Sequence, residues 1–168
     1  MRPSVGKLVE DFTLPDQDGN EITLSQFKGS PVVLFFYPRA DTPGCTIEAC
    51  GFRDSFTKLK KAGIVVLGIS RDTVKKQKKF ADKYDLQYPL LADDEMKLIK
   101  SWDLLVNKTM YGKPVTGVER TTYVIGPDTG TGQQLLHTFS KVTPQGHAEE
   151  VFALLKETGA LKATGKKK

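Results

Sequence analysis

The chain runs Pro31-Val32-Val33-Leu34-Phe35-Phe36-Tyr37 between two groups of turn-forming residues. A continuous run of β-branched and aromatic residues is typical of a central strand that is buried on both faces. The run leads directly into the loop Pro38-Arg39-Ala40-Asp41-Thr42-Pro43-Gly44-Cys45. We therefore expect a central strand whose end delivers the chain to Cys45.

Helical and extended patterns alternate after this strand. Apolar residues at helical spacing continue from Cys45 through residues 46–61, which places Cys45 on the inward face of a helix. Further strands are predicted at 21–24, 64–70, 90–92, 121–125 and 134–139. Further helices are predicted over 94–102, over 145–157, and in the segment that Asp72 or Thr73 can cap. This order predicts an α/β fold. Because the last two strands form a hairpin, the central β-sheet should be mixed, with helices on its flanks.

Composition indicates one globular domain. A chain of 168 residues that is 39% hydrophobic can bury a full core, so we expect a single domain over 1–168, with its core at about 6–157 and a lysine-rich C-terminal tail at 162–168. The sequence shows neither an apolar stretch of membrane-spanning length nor the apolar core of a secretory signal. Its two cysteines are too few for the disulfide scaffold of a secreted protein, so we expect a protein of the reducing cytoplasm.

The net charge of +5 is spread over separate segments, among them residues 75–76, 78–79 and 166–168. A nucleic-acid or membrane footprint would be denser and interleaved with aromatic residues or an apolar face. We therefore expect neither kind of partner. The rival hypothesis, a basic binding module, predicts salt-sensitive nucleic-acid binding that survives Cys45→Ser.

Cys45 stands at the predicted start of a helix. Thr42 is a favourable N-cap residue and Pro43 is favoured at the first helical position, so Cys45 falls in the first turn, where unpaired backbone N–H groups point. A reactive thiol needs such a positive field to be held as thiolate. The pattern favours a reactive cysteine over a thiol kept for packing.

Residues 36–54 resemble the catalytic loop of peroxiredoxins, in particular of the Q-type or bacterioferritin comigratory protein branch. The family's proline, threonine and cysteine match Pro38, Thr42 and Cys45, and the second cysteine of this branch matches Cys50. Residues 117–125 resemble the strand that carries the family's active-site arginine, which places Arg120 in that role.

The resemblance implies a thiol-dependent peroxidase for hydrogen peroxide and organic hydroperoxides, with no cofactor and no metal. It also implies a thioredoxin-like fold, a monomer, and reduction by thioredoxin or a similar dithiol. The implied site consists of Cys45 as the peroxidatic thiol, Cys50 as the resolving thiol, Thr42, Arg120 and Pro38 around the reacting atoms, and Glu48 and Gly44 in support.

Helix geometry limits how the two thiols can meet. On an intact helix, residues five apart have Cα atoms about 8.6 Å apart, and a disulfide cannot form beyond about 7 Å. The implied disulfide between Cys45 and Cys50 therefore requires the first turns of the helix to unwind. Gly51 lowers that cost, because glycine in a helix interior costs about 1 kcal/mol relative to alanine. We expect a folded reduced state and a locally unwound oxidised state.

Several residues have a structural interpretation beside the functional one. Arg120 could form only a structural salt bridge with Glu48, but we favour the catalytic interpretation. Glu48 then orients Arg120 or interacts favourably with the helix dipole. Thr42 could cap the helix, contact substrate, or do both. His137 and His147 do not form a convincing zinc pattern with the two cysteines, and we expect neither to bind a metal. Trp102 and Tyr84 are predicted to pack in the core.

Two other functions compete with the peroxidase. A thioredoxin-like disulfide reductase would share the fold, but its mechanism uses a Cys-x-x-Cys pair that this chain lacks. A redox chaperone role leaves no recognisable pattern in the sequence and stays open.

Overall fold

The computed structural model describes residues 2–157, apart from the side chains at positions 108 and 110, so the predicted tail at 162–168 lies outside the described residues. The strands are β1 (Thr13–Pro15), β2 (Glu21–Thr23), β3 (Val32–Phe36), β4 (Val65–Ser70), β5 (Leu90–Ala92), β6 (Leu105–Met110), β7 (Lys113–Val118), β8 (Thr121–Ile125) and β9 (Leu135–Phe139). The helices are α1 (Pro43–Asp54), α2 (Phe56–Lys61), α3 (Val74–Tyr84), α4 (Lys97–Ser101) and α5 (His147–Glu157). A 3₁₀ turn, Leu24–Phe27, follows β2.

Five strands form the central sheet in the order β5-β4-β3-β8-β9. β3 pairs parallel with β4, with Val33 opposite Val66, and antiparallel with β8, with Val33 opposite Val124. β5 extends the parallel side and β9 the antiparallel side. The predicted α/β fold with a mixed sheet is confirmed, and β3 is its central strand.

Side chains of β3 alternate between two apolar clusters, one on each face of the sheet. Val33 and Phe35 pack with residues of α1, α2, α3 and α5. Leu34 and Phe36 pack on the opposite face, together with Trp102. Both faces are covered, so every residue of β3 is buried, as the continuous apolar run predicts. The prediction that Trp102 packs in the core is also confirmed.

The predicted helix over 46–61 is two helices in the structure. The chain leaves helical geometry at Ser55, whose φ and ψ are −94° and 1°, and α2 begins at the next residue. Cys45 and Cys50 both lie in the unbroken α1. The predicted first turn is confirmed too, because α1 begins at Pro43 with Thr42 in the N-cap position.

The predicted helix over 94–102 is shortened to α4. Met96 has a positive φ of 59°, which a continuous right-handed helix does not allow. Asp93 compensates by accepting a hydrogen bond of 2.8 Å from the backbone N–H of Ile99. The helix therefore starts at Lys97, three residues later than predicted.

The hairpin of β6 and β7 was not predicted, and it forms a two-stranded sheet of its own. Its sequence lacks a continuous apolar face, and most described side chains of β7 are exposed. The turn uses positive φ angles at Tyr111 and Gly112, the conformation that suits a tight hairpin. Val118, at the base of the hairpin, belongs to the core, and the exposed remainder is held by its backbone ladder.

Tyr84 packs against the apolar cluster that contains Phe80, as predicted, but at the edge of that cluster. It ends α3 and is only partly buried, and its hydroxyl donates a 2.9 Å hydrogen bond to Asp41. Of the two caps considered for this helix, Thr73 begins it, and the Thr73 hydroxyl oxygen accepts from the backbone N–H of Lys76. Within residues 2–157, no helix has the length and apolar character needed to cross a membrane.

Candidate active site

The loop between β3 and α1 is fixed by hydrogen bonds to α3 and to the end of β4. The backbone N–H of Ala40 donates to Asp72 at 2.7 Å. Asp41 has a positive φ of 62° and binds both Lys83, at 3.0 Å, and Tyr84. These contacts hold the loop in the shape that starts α1.

Thr42 occupies the N-cap position without capping through its side chain. Its carbonyl oxygen accepts from the backbone N–H of Thr46 at 2.8 Å. Its hydroxyl turns back and donates to the carbonyl oxygen of Arg39 at 2.9 Å. The Thr42 hydroxyl therefore does not bind the backbone N–H groups in the first turn of α1. Its oxygen can still accept a hydrogen bond.

Cys45 lies in the first turn of α1 and is 1% exposed. It belongs to the apolar cluster between the sheet and the helices, which agrees with the predicted inward orientation. Cys50 is partly exposed, and burial raises the pKa of its thiol, an effect that the nearby Arg53 partly offsets. Both cysteines are free thiols.

Arg120 lies in the short connection between β7 and β8, immediately before β8, so it is outside both strands. Its Nη1 donates to Glu48 Oε1 at 2.8 Å. A Cβ on Gly44 would lie 3.0 Å from Arg120 Nη2, which places the guanidinium directly over the first turn of α1. Burial lowers the Arg120 pKa, but the sulfur of Cys45 and the carboxylate of Glu48 together raise it above its ordinary value.

Glu48 is the buried partner of this arginine. Its side chain is fully buried, and Arg120 is 16% exposed. Burial raises the pKa of Glu48 to about 7, although the hydrogen bond and charge of Arg120 act in the opposite direction. Its second oxygen, Oε2, has no hydrogen-bond partner among the described residues. The charge of Glu48 can therefore change near neutral pH beside the guanidinium.

The structure brings most of the predicted site together. Cys45, Gly44, Glu48 and Arg120 form one group, because the first turns of α1 meet the connection before β8. Pro38 and Thr42 line a cleft beside this group. Cys50 lies further along α1.

Two further parts of the site were not predicted. Asp72 fixes the loop between β3 and α1 through Ala40, although the sequence suggested it only as a helix cap. Residues 115–118 of β7 line the cleft with Pro38 and Thr42. No sequence pattern shows that this hairpin returns to the loop.

The two histidines lie elsewhere. The buried ring of His147 bonds to Glu150 through Nδ1 and to Thr122 through Nε2. His137 is on β9 and partly buried. Within residues 2–157, no three His, Cys, Asp or Glu side chains are grouped as metal ligands would be.

Sequence relatives cover almost the whole chain. The AhpC/TSA family model matches residues 5–130. The chain is 43% identical over 155 residues to the putative peroxiredoxin Bcp of Coxiella burnetii, a match that covers 92% of this chain and 100% of that protein. It is 39% identical over 158 residues to the peroxiredoxin Bcp of Escherichia coli, covering 94% and 99%.

Solved structures are similar over the same region. A mutant of Xylella fastidiosa PrxQ superposes with a TM-score of 0.87 at 32% identity, covering 95% of this chain and 99% of that chain. Xanthomonas campestris peroxiredoxin Q gives 0.79 at 37% identity, covering 87% and 90%. These matches confirm the expected thioredoxin-like fold.

Proposed function

Because this chain belongs to the AhpC/TSA family and, within it, to the peroxiredoxins of the Q or Bcp branch, we propose that Cys45 reduces hydrogen peroxide and organic hydroperoxides. The observation that carries this assignment is the contact between Arg120 and the first turn of α1, where Cys45 lies. A related structure, of the Xanthomonas campestris bacterioferritin comigratory protein, concerns that protein's alkyl peroxide reduction activity.

In the first step, the Cys45 thiolate attacks the nearer oxygen of the hydroperoxide. A sulfur–oxygen bond forms as the oxygen–oxygen bond breaks. The sulfur loses two electrons and becomes a sulfenic acid, while the leaving oxygen takes a proton and departs as water or an alcohol. The reaction needs no metal and no cofactor.

Charge stabilisation comes from groups that are fixed before the peroxide arrives. Negative charge grows on the peroxide oxygens as their bond stretches, and the guanidinium of Arg120 and the N–H groups at the start of α1 are placed to receive it. Glu48 keeps the guanidinium oriented through its 2.8 Å bond. The Thr42 hydroxyl oxygen can accept a hydrogen bond from the peroxide O–H, and Pro38 limits access of water to the sulfur.

In the second step, Cys50 attacks the sulfenic sulfur. A disulfide forms and water leaves. Both thiols lie in the unbroken helix α1, where Cα atoms five residues apart are about 8.6 Å from each other. The disulfide therefore requires α1 to unwind, and unwinding also removes the burial that raises the Cys50 pKa.

The remaining assignments follow from this cycle. A dithiol of the thioredoxin type returns the disulfide to two thiols. We infer that residues 1–168 form one domain that acts as a monomer in the cytoplasm, where such reductants keep thiols reduced. Nucleic acid and membranes are not partners in this proposal.

Steady-state turnover tests the two cysteine roles. The assay follows peroxide consumption with thioredoxin and its reductase for the parent, Cys45→Ser and Cys50→Ser. Both variants should lose turnover, and only Cys50→Ser should still form a sulfenic acid that a dimedone probe traps. Continued turnover by Cys45→Ser would disprove the assignment, and loss of turnover only in Cys45→Ser would remove Cys50 from the cycle.

A further inference from the structure

A cleft of about 280 Å³ lies beside the active-site loop. Pro38 and Thr42 line it from that loop, and residues 115–118 line it from β7. Arg39 and Arg71 complete the lining. The cleft therefore combines apolar surface, from Pro38 and two valines, with two cations.

These two arginines differ from the rest of the chain's five. Neither Arg39 nor Arg71 forms an ion pair within residues 2–157. The other three are each paired with a carboxylate: Arg2 with Glu119, Arg53 with Asp54 and Arg120 with Glu48. The hydrogen bond of the Arg71 side chain is a long one, 3.5 Å, to the carbonyl oxygen of Thr116. Both unpaired guanidinium groups thus lie at the same cleft.

The nearby carboxylates are engaged elsewhere. Asp72 accepts from the backbone of Ala40 and from the Ser70 hydroxyl, each at 2.7 Å. Asp41 is bound by Lys83 and Tyr84. The positive charge at the cleft is therefore left for a ligand.

Building on the peroxidase function proposed above, we propose that this cleft selects organic hydroperoxides that carry a carboxylate, and that Arg71 and Arg39 determine this specificity. The hydrocarbon part of the substrate lies against Pro38, Val115 and Val118. The hydroperoxide group passes the loop toward Cys45, and the carboxylate meets the two guanidinium groups.

The size of the cleft restricts the substrate further. A volume of about 280 Å³ lies just below the range for small-molecule sites, which begins at roughly 300 Å³. It suits a compact aromatic or short-chain group rather than a long acyl chain. Hydrogen peroxide has neither a carboxylate nor a hydrocarbon group, so its reaction does not use this selectivity.

Matched substrates test the proposal. Cumene hydroperoxide and its para-carboxylate have the same reacting group and differ by one charge, and hydrogen peroxide serves as the third substrate. The rate constant of Cys45 oxidation is measured in single turnover, without reductant, for the parent, Arg71→Gln, Arg39→Gln and Lys100→Gln. Lys100, on α4, is an exposed cation that does not line the cleft, and its substitution removes the same charge.

The readout is the ratio of the rate constants for the carboxylate and the neutral hydroperoxide, which does not depend on the fraction of active protein. We expect the parent to favour the carboxylate, and each arginine substitution to lower the ratio by about three- to fivefold, the effect of an exposed ion pair. Lys100→Gln should leave the ratio close to that of the parent. Added salt should lower the parent's ratio, because the cations are accessible to solvent.

Each other outcome contradicts the proposal. If the parent reacts with hydrogen peroxide and cumene hydroperoxide but both arginine variants keep its ratio, the specificity assignment fails and the peroxidase function stands. If the Arg71→Gln ratio equals that of the parent and the steady-state assay with thioredoxin shows slower turnover, the cations serve the reductant instead. If none of the three peroxides oxidises Cys45, the proposed function fails and the specificity with it.

Discussion

Arg120 owes its position to neighbours on both sides of it. The carboxylate of Glu119 accepts two hydrogen bonds from Arg2, at 2.8 and 3.2 Å, and one from the Thr121 hydroxyl. The carbonyl oxygen of Arg120 accepts from the backbone N–H of Val142 at 3.0 Å. Val142 holds the backbone of Arg120 and Glu48 holds its guanidinium, so the side chain is oriented before substrate binds. Stabilisation of the charge that develops during the reaction requires such a fixed group.

Gly44→Ala tests how closely the guanidinium must approach α1. The added Cβ would lie 3.0 Å from Arg120 Nη2 and 3.4 Å from Pro144 Cγ, so Arg120 must move by a few tenths of an ångström. We expect Cys45 oxidation by hydrogen peroxide to slow about tenfold, since small misplacements of catalytic groups have effects of this size or larger. Stopped-flow kinetics measures the rate.

The matched control for Gly44→Ala is Gly51→Ala. A Cβ at Gly51 meets only Ala148, at an ordinary 3.8 Å. Its oxidation rate should equal that of the parent. Equal oxidation rates in Gly44→Ala and the parent would show that the position of Arg120 is not critical.

Glu48→Gln tests the titration beside Arg120. Burial raises the Glu48 pKa to about 7 from an ordinary 4.5. Below pH 4.5 the carboxyl is protonated in both the folded and the unfolded protein. Between pH 4.5 and 7 only the unfolded protein releases the proton, so the parent loses stability relative to Glu48→Gln, and above pH 7 the difference stays constant. Urea unfolding from pH 4.5 to 8 measures this difference.

Glu149→Gln, at an exposed position on α5, provides the control for loss of a carboxylate. A parent that instead gains stability over Glu48→Gln as the pH rises would show that the Glu48–Arg120 pair outweighs the burial of the carboxylate. That result would contradict the raised pKa.

At the scale of elements, α1 carries both thiols and has two requirements that oppose each other. In the proposed cycle, its first turn must be folded to present N–H groups at Cys45, and the same turns must open before Cys50 can reach the sulfur. Gly51 and the break at Ser55 limit the stability of the helix that must open. The packing of α1 against α5, seen where Gly51 faces Ala148, favours closure.

Gly51→Ala should make α1 harder to unwind. The new methyl group fits against Ala148 at 3.8 Å, and alanine stabilises a helix interior by about 1 kcal/mol over glycine. We expect disulfide formation after a single equivalent of peroxide to slow about fivefold. Acid quenching, thiol alkylation and mass spectrometry follow this step. A rate at or above that of the parent would mean that unwinding of α1 does not limit resolution.

The elements differ in how well the sequence predicted them. β3 was predictable because its run is apolar on both faces, and α1 because Thr42 and Pro43 mark its start. No glycine or proline in the sequence marks the break at Ser55, and the sequence of the β6–β7 hairpin lacks a continuous apolar face. Apolar patterns predict buried elements, so a hairpin with mostly exposed side chains is not predicted.

The active site was predictable to a similar extent. Cys45, Cys50 and Arg120 lie in recognisable motifs, and the pairing of Arg120 with Glu48 was among the interpretations considered. The bond between Arg2 and Glu119 was not predicted, because the two residues are 117 positions apart and neither stands in a motif. The cleft was missed for the same reason, since Arg71 and β7 meet only in the folded chain.

At the scale of the whole molecule, the site joins a stable part and a part that must open. The five-stranded sheet and the N-terminal segment that contains Arg2 and Leu8 together hold Arg120 in place. Arg2 binds Glu119, the neighbour of Arg120, and a bridge between Leu8 and Gln134 ties the segment to the sheet. α1 packs on that base and contributes Cys45 and Cys50. We expect oxidation to alter α1 while the sheet keeps its structure.

Hydrogen exchange of the reduced and the peroxide-oxidised protein, with the Cys45–Cys50 disulfide verified by mass, tests this account most directly. Peptides covering residues 43–54 should lose protection on oxidation, because the disulfide cannot span an intact helix. Peptides of β3, β4 and β8 should exchange alike in both forms. A fully formed disulfide with unchanged protection of residues 43–54 would contradict the account.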